Sequence, residues 1–283
     1  MPQNFFEPKQ SINVKGKLID LSKPKVMGIL NITPDSFYSS SRTNSTEEAL
    51  KKAEQFLNEG ATFIDIGGYS SRPGAMDVTA DEEIARLVPV IETLAKTFPE
   101  AIISVDTFRA KVAEESILAG AHVINDIAAG DMDDLMFDTV ARLQVPYIMM
   151  HMQGTPQTMQ KNPVYENVLL DVIDYLARKI AALQALKVHD LIIDPGFGFG
   201  KTIEHNYELL NQMQELKIFQ LPVLVGFSRK GMIHKVLKTT AAQSLNGTSV
   251  LNTIALQKGA GILRVHDVKE AVECVKLVDR LVG

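Results

Sequence analysis

Leu191-Ile192-Ile193-Asp194-Pro195-Gly196-Phe197-Gly198-Phe199-Gly200-Lys201 is the stretch that decides the fold. Three apolar residues of this kind suit a buried parallel strand, and the glycines that follow allow a backbone that side-chained residues resist. A carboxylate, Asp194, therefore stands at the end of a core strand. An isolated buried carboxylate is costly, so a hydrogen-bond donor or a compensating charge must meet it, and a ligand is one source of either.

The same pattern recurs along the chain. Val26–Leu30 ends in Asn31, Phe63–Ile66 in Gly67-Gly68, Ile102–Val105 in Asp106, and Val123-Ile124 in Asn125-Asp126. Pro146–Met150 ends in His151, Val223–Gly226 leads to Ser228-Arg229-Lys230, and Gly261–Leu263 ends in Arg264-Val265-His266. With the Asp194 strand these make eight, each followed by a helical pattern, which predicts a (β/α)8 TIM barrel with its loops converging on one face. Residues Ile12 to Leu21 alternate around Lys15-Gly16-Lys17 and predict a hairpin covering the bottom of the barrel.

The 283 residues match one barrel, and no linker or low-complexity run interrupts the alternation, so residues 1–283 are expected to form a single domain. Lys and Arg total 29 against 34 Asp and Glu, a net charge of -5, which gives no general attraction to nucleic acid. Any anion must be caught locally. Cys274 is the only cysteine, which excludes an intrachain disulfide, and its place in an apolar helical pattern reads as a small buried hydrophobe. No segment has the length of a membrane span or the form of a signal peptide, and a cytoplasmic protein is expected.

Asp106, Asn125 and Asp194 each have a structural alternative, since a lone acid at a strand end also caps helices. Three such side chains on neighbouring strand ends instead suit a heterocycle with several ring N–H donors and a carbonyl. Gly67-Gly68-Tyr69-Ser70-Ser71-Arg72-Pro73-Gly74 offers freed amides, hydroxyls and an Arg to an oxyanion or phosphate, although such turns also occur on surfaces. Arg264 and His266 alternate on one strand face, and together with Arg72 they place cations where a diphosphate needs them. Lys230 precedes an expected helix start at Gly231 and is positioned to meet a ligand acceptor. In Met149-Met150-His151-Met152 the histidine reads as a core or supporting residue, and no zinc-type spacing occurs. The long polar segment Asn31–Arg42, with Phe37 inside it, reads as a loop closing over a ligand. Helices are expected from Ser45 or Thr46 to Gly60, from about Lys111 to Leu118, and from Val164 to Leu186 as the longest.

At this point the residues resemble one family. Asn31-Ile32-Thr33-Pro34-Asp35-Ser36-Phe37, Asp65-Ile66-Gly67-Gly68, Ser71-Arg72-Pro73-Gly74, Val105-Asp106-Thr107, Ile124-Asn125-Asp126, Met150–Gly154, Asp194–Lys201, Ser228-Arg229-Lys230 and Arg264–Val268 resemble dihydropteroate synthases in their joint order. The resemblance implies condensation of 6-hydroxymethyl-7,8-dihydropterin diphosphate with 4-aminobenzoate, release of diphosphate, the target of sulfonamide drugs, Mg2+ accompanying the diphosphate, and a homodimer. It implies that Asp106, Asn125, Asp194 and Lys230 hold the pterin, with Met150 and Phe199 lining its pocket. Asn31, Ser71, Arg72, Arg264 and His266 would hold the diphosphate, with Asn31 on the metal. By the same resemblance Ser228 would join the substrate-binding set and Gly231 would stand at the arylamine carboxylate. Asp35 and Phe37 would act in catalysis with Lys230 and Arg264, while Pro73 would pack on the arylamine ring.

Three positions depart from the family pattern. Tyr38-Ser39-Ser40-Ser41 replaces an Asp-Gly-Gly run, Ser70-Ser71 replaces Ser-Thr, and Gly231 stands where many members carry a serine. Two other readings share the pterin groups. A methyltetrahydrofolate-type methyltransferase would have no use for Arg72, Arg264 and His266 as a diphosphate site, and a non-catalytic pterin-binding paralogue or scaffold would not need the full set.

Overall fold

The computed structural model describes residues 11–32, 42–69 and 78–282. A two-stranded antiparallel hairpin, β1 (Ser11–Val14) and β2 (Lys17–Asp20), opens it. The barrel strands are β3 (Lys25–Asn31), β4 (Phe63–Gly67), β5 (Ile102–Asp106), β6 (Val123–Asp126), β7 (Tyr147–Met150), β8 (Leu191–Asp194), β9 (Leu224–Val225) and β10 (Ile262–Val265). They form one parallel sheet in the order β8-β7-β6-β5-β4-β3-β10-β9. A parallel bridge between Ile193 and Val223 joins its two edges, so the expected barrel closes.

Helices alternate with the strands, as parallel strands require. They are α1 (Arg42–Glu59), α2 (Ala80–Thr97), α3 (Ala110–Leu118), α4 (Met136–Leu143), α5 (Val168–Ala185), α6 (Ile203–Asn211), α7 (Gly231–His234), α8 (Leu245–Gln257) and α9 (Val268–Val282). A 3-10 turn, Met213–Phe219, leads from α6 to β9. Two helix expectations need correction. The first helix starts at Arg42, so Ser45 and Thr46 lie inside it rather than capping it. The long helix starts at Val168, not Val164, because Asn167 caps it by accepting from the Leu170 amide. Val164 is held outside the helix by Gln153, whose side-chain amide bonds both the Val164 N–H and its carbonyl. At 18 residues α5 is equalled by α1 and α2.

The core has two main compartments. Between strands and helices, Ile64, Ile66, Ile103, Val105, Ile193 and Val265 pack against residues such as Leu87, Ile91, Leu176 and Val268. Inside the barrel, Met27, Phe63, Ile102, Val123, Ile148, Ile192, Leu224 and Ile262 form a layer with one residue from each strand. Ile12, Val14 and Leu21 of the hairpin region cover this layer from below, as expected. Cys274 is buried in the outer compartment.

Candidate active site

Side chains alternate across a strand, so the residue two positions after each member of the lower layer faces the barrel axis again. In five strands that residue is polar: Asp65, Ser104, Asn125, Asp194 and Arg264. In the others it is Ile29, Met150 and Gly226, and one step further up stand Asn31, Gly67 and Asp106. A polar layer thus rests directly on an apolar floor, at the C-terminal end of the strands.

Arg264 organises one side of this layer. Its Nε donates to Asp65 Oδ2 at 2.6 Å and its Nη2 to Asp106 Oδ2 at 2.5 Å. Asn125 Nδ2 also donates to Asp65 Oδ2, at 3.0 Å, so Asp65 fixes both the guanidinium and the orientation of the Asn125 amide. Asp65 is wholly buried and its Oδ1 has no protein partner. The neighbouring carboxylates hold the Arg264 guanidinium charged, raising its pKa against the effect of burial. Burial pushes Asp106 up to about 7, against the pull of Arg264.

The other side is built by the loop after β8. Asp194 Oδ1 accepts from the Gly196 amide at 2.7 Å, while burial raises the Asp194 carboxyl and Lys230, Arg264 and Lys201 oppose that rise. Lys230 Nζ donates to the Phe197 carbonyl at 2.5 Å and lies 4.5 Å above the centre of the Phe199 ring. Burial lowers it to about 8. Gly196 is the position where only glycine serves, since φ is +71° and a Cβ there would stand 1.9 Å from the His151 carbonyl oxygen. The loop therefore presses backbone to backbone against the end of β7.

The three residues of Ser228-Arg229-Lys230 go different ways. Ser228 Oγ pairs with His266 Nδ1 at 2.9 Å, and Lys230 turns towards the pocket. Arg229 turns away, bonding Asp267 through Nε and Nη2 at 2.9 and 2.8 Å and reaching the carbonyls of Ala241 and Ala242. It clips the loop to the start of α9. Gly231 begins α7, as expected. Near the rim, a Cβ placed on Gly67 would lie 3.6 Å from Asp106 Oδ2 and 3.7 Å from Asn31 Oδ1, so two oxygens border the space left by that glycine. An apolar lip of Phe108, Met150, Met152 and Met159, with Tyr69 and Phe199 packed on it, completes the mouth.

Of the residues expected at the site, Asn31, Asp106, Asn125, Met150, Asp194, Phe199, Ser228, Lys230, Gly231, Arg264 and His266 lie at this end of the barrel. Asp35, Phe37, Ser71, Arg72 and Pro73 fall outside the described residues. Two residues of the assembly had no expected role. Asp65 is signalled only by its place two residues after Phe63 on the inward face. Lys201, buried beneath the Asp194 loop, is signalled only by being a lysine closing a glycine-rich run.

Residues 27–266 match the family described as pterin binding enzyme. The dihydropteroate synthase of Escherichia coli K12 is 45% identical over 267 residues, which cover 94% of each chain. Among solved structures, a Yersinia pestis dihydropteroate synthase with a sulfonamide drug complex is 44% identical with a TM-score of 0.90, covering 96% of this chain and 98% of that one. A Xanthomonas albilineans dihydropteroate synthase with 4-aminobenzoic acid is 37% identical with a TM-score of 0.89, covering 97% and 98%.

Proposed function

The chain belongs to the pterin binding enzyme family, and from that premise we infer that it is a dihydropteroate synthase, a transferase of folate biosynthesis. The substrates proposed for it are 6-hydroxymethyl-7,8-dihydropterin diphosphate and 4-aminobenzoate, and the whole chain serves as one catalytic barrel. The observation that carries this is the convergence of Asp106, Asn125, Asp194, Lys230 and Arg264 in one largely buried layer, although they come from distant parts of the sequence.

The acceptors and donors of that layer suit a pterin edge, with Asp106 and Asp194 accepting ring N–H groups, and Asn125 and Lys230 completing the set. Arg264, fixed by Asp65 and Asp106, covers the ring and faces the diphosphate side with Ser228 and His266. In the reaction the bond from the pterin CH2 to the diphosphate oxygen breaks, the arylamine nitrogen forms the new C–N bond, and the amine gives up one proton. The CH2 carbon tolerates cationic character beside the electron-rich ring. The site therefore has to stabilise the leaving anion and keep water from the carbon, with no protein nucleophile.

Mg2+ is proposed to accompany the diphosphate and would neutralise charge on it when bound. The residues fit a hard cation, because Asn31 Oδ1 is a neutral oxygen at the rim beside Gly67 and magnesium usually takes few protein oxygens beside those of a phosphate. No cluster of three or more His, Cys, Asp or Glu that would hold a metal by itself occurs among the described residues. Asp35 and Phe37 are proposed to close on the arylamine with Pro73, and Ser71 and Arg72 to hold the diphosphate. Unchanged turnover in D35A and F37A variants would remove the first of these roles. A homodimer is proposed as well, and the exposed Val250, Leu277 and Leu281 of α8 and α9 supply apolar surface for it. A cytoplasmic site of action is proposed; no helix among the described residues is long and apolar enough to cross a membrane.

The test is a diphosphate-release assay with Mg2+ and the pterin diphosphate, run with and without 4-aminobenzoate. Release that depends on the arylamine and yields dihydropteroate supports the reading. Absence of product, or release indifferent to the arylamine, overturns it. A sulfonamide is expected to compete with 4-aminobenzoate.

A further inference from the structure

Lys201 is a buried lysine with no surface outlet, only 3% exposed. Its Nζ reaches His151 Nδ1 at 2.9 Å, the Gly196 carbonyl at 3.0 Å and the Phe199 carbonyl at 3.1 Å. The His151 carbonyl lies at the edge of the same reach, at 3.5 Å. Burial lowers Lys201 to about 7, with Asp194 opposing the fall, and in its protonated form it has three protons for these acceptors. His151 has to be neutral to accept, and burial beside the lysine charge, which drives its pKa to about 2, keeps it so. The His151 backbone N–H in turn donates to the Asp194 carbonyl at 3.0 Å. The lysine thus ties the end of β7 to both sides of the turn that carries Asp194, Gly196 and Phe199.

We propose that Lys201 is a positioning residue of the pterin pocket, its ammonium clamping the Gly196–Gly200 turn against His151. That clamp sets the Gly196 amide on Asp194, and it sets the Phe197 carbonyl and Phe199 ring against which Lys230 is aligned. Three ring-recognition groups are therefore placed by one buried lysine that does not itself touch the substrate. The His151 ring is packed in its turn against Tyr175, edge to face at 5.0 Å. This proposal rests on the pterin reading of the pocket, and it concerns pterin recognition alone, because the arylamine site is assigned to other loops.

The test compares K201M, H151L and H151N with the native enzyme by KM and kcat for each substrate, by calorimetric titration with 6-hydroxymethylpterin, and by thermal melting. An Asn at 151 keeps an acceptor near the position of Nδ1, whereas Leu removes it. K201M and H151L are expected to raise the KM for the pterin diphosphate, and the Kd for the pterin, roughly ten-fold or more, since 1.4 kcal/mol corresponds to a factor of ten. KM for 4-aminobenzoate should stay within about two-fold, and H151N should recover most of the pterin affinity. If K201M does not fold, the H151L and H151N pair decides. The proposal is overturned if pterin affinity is unchanged in the variants, if both KM values rise together in step with a lowered melting temperature, or if H151N behaves as H151L. A native enzyme that forms no dihydropteroate overturns the functional reading instead, and calorimetry with the pterin then still measures the clamp.

Discussion

Asp106 shows how burial and pairing compete at one residue. Burial raises its pKa from 3.8 to about 7, with Arg264 pulling down and Asp65, Glu83 and Asp126 pushing up. Between those values the folded chain holds a proton that the unfolded chain has released. The contribution of this group to stability therefore declines as pH rises from 3.8 towards about 7 and is level above it. Recognition of a pterin N–H runs the other way, because the carboxylate is the acceptor. Affinity for 6-hydroxymethylpterin is expected to rise between about pH 6 and pH 7 in the native protein, below the range where Lys230 at about 8 gives up its proton, and to lack that rise in D106N; calorimetry giving one slope for both would exclude this role. Gly231 offers a second test. The nearest atoms to a Cβ there are side-chain atoms of Lys235 and His234, at 3.6 to 3.9 Å, so G231S should fold normally. Its hydroxyl is expected to improve retention of 4-aminobenzoate by at most about 1.5–3 kcal/mol, the worth of a hydrogen bond to a charged group, with equal KM in both proteins as the contrary result. At this scale the sequence marks the polar strand ends but not their partners. Arg229 and Lys230 are adjacent cations in the chain, and only one of them turns to the pocket.

Among the elements, the turn after β8 has the tightest geometric requirement. Gly196 combines a φ of +71° with a Cβ position 1.9 Å from the His151 oxygen, so G196A must move either the turn or the end of β7. Roughly 3 kcal/mol or more of stability should be lost in urea denaturation, together with pterin binding. A G196A protein as stable as the native one would show that the contact is not tight. The strands are legible because a parallel strand covered on both faces needs a short apolar run, and each run here stops at a polar residue or glycine. Helix starts were less legible, since they depend on which side chain captures the first free amides. The Gln153 clasp on Val164 and the Asn167 cap together displace the start of α5 to Val168, and a hydrophobic period alone carries no sign of that.

Across the whole molecule, stability and chemistry occupy opposite ends of the barrel. Ile12 of the hairpin is completely buried against the lower layer of Met27, Phe63, Ile148 and Ile192. I12A is expected to cost about 2–4 kcal/mol in equilibrium unfolding, as other large-to-small core changes do, while leaving both KM values within about two-fold. A marked rise in the pterin KM would mean that the floor of the pocket depends on the hairpin. What the sequence determined by itself is the barrel, its capped bottom and its polar rim, because period-two alternation and apolar run length are local properties of the chain. Which charges meet was decided by the tertiary structure. Arg264 lies 199 residues from Asp65 and 158 from Asp106, and Lys201 lies 50 from His151. Closing the sheet brings β10 beside β3 and turns these side chains onto one axis, where burial makes each unpaired charge costly and so selects the pairing. No local pattern encodes that choice, since Arg264 meets Asp65 and Asp106 only once the first and last barrel strands are side by side, and Lys201 meets His151 only once β7 and β8 have paired.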